Sequence, residues 1–261
     1  MKVSSQSNYN PSFNAIQLSQ WRCSNAKNTA KNISIVSIEK NDLDFMQKFL
    51  TYIEKQKNDN ISAKEIMVYS TKTIIDILSS NLPKMDKIKM FVATYNNLPC
   101  GLFVANIPKS YANDETYVYS SRHNSRKSET EIDWLVTWNP TGNEKLKGVG
   151  KALVGEYFHT IKKDKFRDVF VRSEVPEKSF AAYFYENLGF ERLSTRRLKL
   201  SNKNSAQYIV KDYGCESNDD TIPMLITRRK LLEKANELAQ EMNRQEFKKK
   251  SIDAENLISI N

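Results

Sequence analysis

Lys145-Leu146-Lys147-Gly148-Val149-Gly150-Lys151-Ala152-Leu153 is the stretch on which the fold of this chain turns. Upstream stands Glu131-Ile132-Asp133-Trp134-Leu135-Val136-Thr137, then a polar loop through Asn139-Pro140-Thr141-Gly142-Asn143. Downstream, Val149, Leu153, Val154, Tyr157, Phe158 and Ile161 recur at helical spacing. A strand, a loop, a Gly-x-Gly turn and a helix therefore follow in succession. The first turn of a helix carries backbone N–H groups without an internal partner, and the macrodipole adds partial positive charge there. Glycines let that backbone approach a ligand with no Cβ between them. The arrangement is an anion cradle suited to a pyrophosphate, with Lys145, Lys147 and Lys151 adding charge around it.

Two familiar nucleotide motifs are excluded by the residues themselves. A dinucleotide fingerprint needs a third glycine where this chain has Leu153, and a P-loop needs G-x-x-x-x-G-K-[ST]. The wider composition agrees with an anionic ligand without naming it. Lys and Arg number 40 against 31 Asp and Glu in 261 residues, a formal charge of +9. Nucleic acid, an anionic membrane or a phosphorylated cofactor would all be drawn to such a surface. Nucleic acid is not expected, since no recognisable module or aromatic-and-basic platform accompanies the charge. No apolar run reaches the roughly 20 residues that cross a bilayer, so no membrane association is expected. Cys23, Cys100 and Cys215 are isolated, and with His123 and His159 they form no metal-ligand spacing. A reducing, cytoplasmic setting is expected.

Working outward, Met1 to Lys31 is rich in Asn and Ser and reads as a flexible polar leader, although Phe13, Ile16, Leu18 and Trp21 could tack part of it onto a domain. Ile33 to Ile38 reads as a strand. Asn41 or Asp42 caps a helix with Phe45, Phe49, Leu50 and Ile53 on one face, and a second helix spans about Ser62 to Ser80. Met90–Tyr95 and Gly101–Asn106 flank a short turn and make a hairpin. Pro108 to Lys127 reads as a long loop. Val169-Phe170-Val171 is a wholly apolar strand, as expected when both faces are buried. A helix from about Pro176 ends before Gly189, and Phe190–Leu200 and Ala206–Lys211 read as the last strands. The order predicts an α/β domain over residues 32–213, its sheet covered by helices on both faces. Residues 214–261 read as a linker and an amphipathic helix from about Ile226 to Lys249, with Leu231, Ala235, Leu238 and Met242 on one stripe. Packing of that helix on the domain is the expectation; a homodimer or a partner protein held through it is the other reading.

On these residues the chain resembles the GNAT superfamily of N-acetyltransferases. The family pattern is Arg or Gln, two residues, Gly, any residue, then Gly or Ala after a strand. Here it reads Lys145-Leu146-Lys147-Gly148-Val149-Gly150, with Lys in the first place. A second stretch, Ala181-Ala182-Tyr183-Phe184-Tyr185-Glu186-Asn187-Leu188-Gly189-Phe190, resembles the family's Ala-x-x-x-Tyr-x-x-x-Gly-Phe helix and strand. The family often has Asn three residues before that Ala, where this chain has Lys178. The resemblance covers about Glu131 to Phe190 closely and about Ile33 to Lys211 in element order. It implies a mixed, mostly antiparallel central sheet and acetyl-CoA as co-substrate, with an amine as acceptor.

The resemblance also assigns roles. Leu135, Val136 and Thr137 would lie on a strand that splays from its neighbour and offers N–H groups to the acetyl carbonyl and pantetheine arm. Lys145, Leu146, Lys147, Gly148, Val149, Gly150 and Lys151 would hold the pyrophosphate, with Lys178 near the cofactor. Tyr185 matches the tyrosine that protonates the CoA thiolate in many members; a core aromatic of an amphipathic helix is the other reading. Glu131 falls where protein-acetylating relatives carry a base, and strict alternation would put Asp133 on the same face. Either carboxylate could instead be a salt-bridge partner at a strand end, and His159 reads as a surface residue. A different acyl-CoA, or a CoA-binding or protein-interaction module without catalysis, are the alternative functions.

Overall fold

The computed structural model describes residues 14–55, 61–80, 88–105, 128–139, 146–162, 169–176, 180–192 and 221–253. Its strands are β1 (Asn14–Asn25), β2 (Ala30–Ser37), β3 (Lys89–Tyr95), β4 (Leu98–Ala105), β5 (Ser128–Thr137), β6 (Leu146–Lys147), β7 (Val169–Pro176), β8 (Glu191–Arg192), β9 (Thr221–Ile226) and β10 (Gln245–Asp253). Its helices are α1 (Leu43–Lys55), α2 (Ile61–Ser79), α3 (Val149–Lys162), α4 (Phe180–Asn187) and α5 (Arg228–Glu241). The sheet runs β10-β1-β2-β3-β4-β5-β7-β9-β8, with β6 pairing β1 off that path. Every neighbouring pair is antiparallel except β5 and β7, which are parallel.

Period-two alternation divides the core between the two sheet faces. Ile33, Ile35, Phe91, Ala93 and Phe103 pack with α3, α4 and α5 on one side. Val36, Ile38, Met90, Val92, Leu102 and Val104 pack with α1 and α2 on the other. The helices thus cover both faces, as the element order predicts. The β3–β4 hairpin closes through Asn96 and Asn97, both in the left-handed region at φ 48° and 61°. That is a two-residue turn of the primed type, whose twist matches the flanking strands. Gly101 is required by packing: a Cβ there would come 2.9 Å from Leu153 Cδ1 and Val149 Cγ1, so α3 could not lie so close to β4.

The ends of the chain depart from expectation. Residues 14–25 are β1, not a flexible leader, and Trp21 is fully buried. A Cβ on Gly155 of α3 would lie 2.6 Å from Trp21 Cη2, so the missing side chain is what admits the indole. At the other end, β9 occupies part of the supposed linker and pairs with β7. The C-terminal helix stops at Glu241 rather than Lys249. Asn243 adopts φ 45°, and the chain reverses into β10, which pairs with β1. Leu231, Ala235 and Leu238 are buried in the α3 side of the core. The helix therefore packs on the domain, and its apolar stripe is not free for a partner.

A buried polar knot fastens both ends to α3. Glu156 Oε2 accepts from Ser19 Oγ at 2.5 Å, from Trp21 Nε1 at 3.0 Å and from Arg244 Nε at 3.0 Å. Arg244 Nη2 donates to Glu156 Oε1 at 2.9 Å, which makes the ion pair bidentate. Burial works against the charge on Arg244, but the hydrogen bonds and charges of Glu156 and Glu246 outweigh it and raise its pKa. His159, expected at the surface, is half-buried between α3 and α5. Its Nε2 lies 3.0 Å from the Ala235 carbonyl, the geometry of a donated N–H.

Candidate functional site

The site lies where β5 and β7 part. Their parallel register covers only Ser128–Glu131 against Val169–Arg172. Beyond that point β5 remains paired with β4, and β7 with β9. A cleft consequently opens between two strand edges at their C-terminal ends, the usual position for a ligand site in sheets containing parallel strands. The backbone direction on the β5 side can be read from one bond. The Trp138 N–H donates to the Cys100 carbonyl of β4 at 3.0 Å. In a strand the polar groups alternate sides, so Trp134 and Val136 also turn toward β4. Leu135 and Thr137 turn their N–H groups to the cleft. Of the three residues named from the sequence, Leu135 and Thr137 thus face the edge away from β4, and Val136 faces the ladder.

The Gly-x-Gly turn sits across the cleft mouth, and its support comes from parts of the chain that the motif does not include. Leu146 and Lys147 form β6 and pair with Asn25 and Ser24 of β1. Gly148 adopts φ +96°, a conformation that L side chains rarely take, and a Cβ on it would meet Met242 Cε at 3.2 Å and Cys23 Sγ at 3.6 Å. The floor of the turn is therefore Cys23 from β1 and Met242 from the end of α5. Burial pushes the Cys23 thiol up to about 12, which keeps it protonated and apolar in character. The first helical bond, Ala152 N–H to Gly148 carbonyl, is 2.9 Å. The N–H groups of Val149, Gly150 and Lys151 precede it, and the geometry of a first turn gives them no intrahelical acceptor.

The charged residues named from the sequence fall in several settings. Lys147 is exposed. Lys151 Nζ bonds Glu241 Oε1 at 3.0 Å, which ties α3 to α5. Lys145 and Lys178 lie outside the described residues, as does the segment 193–220. Glu131 ends the parallel register opposite Arg172. The strict alternation expected of Glu131 and Asp133 is broken, because the β4–β5 register shifts from Val104↔Trp134 to Ala105↔Ile132. Asp133 is the extra residue of a bulge, a device that redirects side chains.

Helix α4 closes the site on the α3 face. Phe184 fits against the Gly-x-Gly turn: a Cβ on Gly150 would be 3.3 Å from its Cζ. Tyr185 next to it is only 4% exposed and lies edge-on to Phe184 and Phe190, at centroid distances of 5.2 and 5.0 Å. The two motifs, 30 residues apart and more in sequence, are thus brought together through Gly150 and Phe184. Cys23, Met242 and Phe184 were missed as site supports. The only sequence signal for the first was the alternation of Ser19, Trp21 and Cys23 along the supposed leader.

No family model matches the chain, and no curated protein matches it. Solved structures with a similar course include an acetyltransferase from Streptococcus agalactiae, 17% identical, covering 74% of this chain and 96% of its own, at a TM-score of 0.42. An aminoglycoside acetyltransferase in complex with coenzyme A and kanamycin is 15% identical over 77% of this chain and 98% of its own, at 0.45. The ribosomal-protein-S18-alanine N-acetyltransferase from Escherichia coli is 16% identical over 75% and 93%, at 0.39. Likenesses at this identity, with TM-scores below 0.5, assign no activity to the chain, and its site stands on its own geometry.

Proposed function

We propose that this protein is an N-acetyltransferase of the GNAT superfamily, moving the acetyl group of acetyl-CoA to a primary amine by direct attack. The observation that carries the reading is the cleft where β5 leaves β7, with the Leu135 and Thr137 N–H groups turned into it and the Gly148–Gly150 turn across its mouth. At Gly148 and Gly150 a side chain would press on Met242 or Phe184, so close packing beneath the turn favours glycine at both positions and holds the first turn of α3 in place. Val149, Gly150 and Lys151 would supply N–H donors to a pyrophosphate.

In this reading the pantetheine arm runs along the free edge of β5. The amine attacks the thioester carbonyl; a C–N bond forms, the C–S bond breaks, and the electron pair leaves on sulfur. N–H donors at Leu135 or Thr137 would hold the carbonyl oxygen as charge develops on it; one such donor is worth about 2.7–4 kcal/mol in comparable sites. Tyr185 would give its phenolic proton to the departing thiolate. Glu131 or Asp133 would take the amine proton, directly or through one water. No nucleophilic Ser or Cys is needed, and the buried, protonated thiol of Cys23 is unsuited to that role.

The test is incubation with acetyl-CoA and separate pools of polyamines, aminoglycosides, amino acids and proteins, read by mass spectrometry. Acetylation of one pool is expected, reduced in Tyr185→Phe. Binding of CoA without acetylation of any pool would replace the reading with a CoA-binding module. An unchanged rate in Tyr185→Phe would remove the tyrosine from the mechanism.

A further inference from the structure

Phe180, the first residue of α4, is 95% exposed, the most open large hydrophobic side chain among the described residues. Full exposure of a phenyl ring forgoes the burial that such a side chain ordinarily gains. Its position suggests what it is for. Phe180 and Phe184 are four residues apart on one helix, so they share a face. Phe184 abuts Gly150 in the first turn of α3. β7 runs parallel to β5 and leads into α4, so the start of α4 and the Gly-x-Gly turn lie at the same edge of the sheet. Phe180 therefore stands one turn, about 6 Å, beyond Phe184 along the helix axis, on the outer side of the anion cradle. The other exposed aromatic on this helix, Tyr183, already has a cation over its ring, with Arg192 Cζ at 5.7 Å. Tyr185 and Ala182 on the same helix are buried.

Building on the acetyl-CoA reading, we propose that Phe180 stacks against the adenine base of the cofactor. In that reading the acetyl end would lie at Leu135 and Thr137 and the pyrophosphate at Gly148–Gly150, so the adenosine would continue outward from the turn. An exposed phenyl ring at that edge offers a π-face to a purine, and a base stack of this kind is tolerant of geometry because no hydrogen bond has to be aligned. The Phe184 ring beside it fills the gap between α3 and α4 and keeps the start of α4 in place.

The test is calorimetric binding to the full chain, which requires no knowledge of the acceptor. CoA and 4′-phosphopantetheine, which lacks the adenosine, are titrated into wild type, Phe180→Ala and Phe180→Trp. The inference expects Phe180→Ala to weaken CoA binding by roughly 5- to 140-fold. Binding of 4′-phosphopantetheine, measured directly or by competition with CoA, should stay within about twofold, and Phe180→Trp should retain the affinity for CoA. Equal losses for both ligands, or none for either, overturn the stack. A change in oligomeric state on sedimentation with CoA affinity unchanged also overturns it, and would assign the ring to a protein interface. If wild type binds no CoA at all, the acetyl-CoA reading itself has failed, an outcome separate from a bound but indifferent Phe180→Ala.

Discussion

Removing the guanidinium of Arg244 while keeping its stem, as in Arg244→Met, isolates the knot that joins the two ends of the chain to α3. The Arg244 side chain is 8% exposed and that of Glu156 is 3%. Without the cation, Glu156 keeps only Ser19 Oγ and Trp21 Nε1 as donors among its observed partners. Breaking a buried ion pair from one side costs about 3–5 kcal/mol, because the remaining charge stays buried and uncompensated. The hydrogen bonds from Ser19 and Trp21 place this case toward the lower end, near 3 kcal/mol. Loss of the cation over the Trp21 ring, 5.8 Å away, adds up to about 1 kcal/mol. Glu156→Leu should cost less, because Arg244 Nη1 keeps Glu246 Oε2 at 3.1 Å. The double variant should recover much of the loss, since two apolar side chains can replace a buried pair at little cost. Urea unfolding of the four proteins gives the coupling energy directly. A loss below about 1 kcal/mol in Arg244→Met, or a double variant as unstable as the two single losses added, would refute the argument that the pair is a buried, mutually compensating unit.

Three further outcomes follow from the same structure. His159 is held below its ordinary pKa of 6.5, first by burial and then by the nearby charge of Arg244. The unfolded chain therefore binds the extra proton first, and stability should fall as pH drops below about 6.5 until the folded-state pKa is reached; His159→Gln should flatten that part of a pH series of urea midpoints. Gly148→Ala must place a side chain at φ +96° against Met242, costing about 1–2 kcal/mol; thermal unfolding should register the loss and CoA titration a weaker affinity. Gly155→Ala drives a methyl into the Trp21 ring, and overpacking of this kind costs about 1–3 kcal/mol, read as a lowered urea midpoint and an altered tryptophan emission.

The local form of the glycine turn was legible because it is carried by adjacent residues. Gly148, Gly150 and the apolar spacing of α3 define a turn and a helix from short-range preferences alone, and the asparagines at 96 and 97 define a hairpin the same way. The bulge at Asp133 was not legible, since it depends on how β5 registers against β4 and the strand's own alternation conceals it. The free direction of the Leu135 and Thr137 N–H groups also depends on which neighbour pairs with which edge.

By itself, then, the sequence determined an α/β domain with a glycine turn opening α3 and an aromatic helix after it, because helix periodicity, turn chemistry and strand alternation act within a few residues. Only the tertiary structure decided what the turn rests on. Polar composition made residues 14–25 look like a leader, yet Trp21 and Cys23 alternate inward and are buried once Gly155 and Gly148 leave room for them. The charged stretch after Glu241 looked helical, yet the edge of β1 pairs with it and makes a strand. In both places hydrogen bonds and burial from residues distant in sequence outweighed local composition, and the glycine turn ended up supported by both.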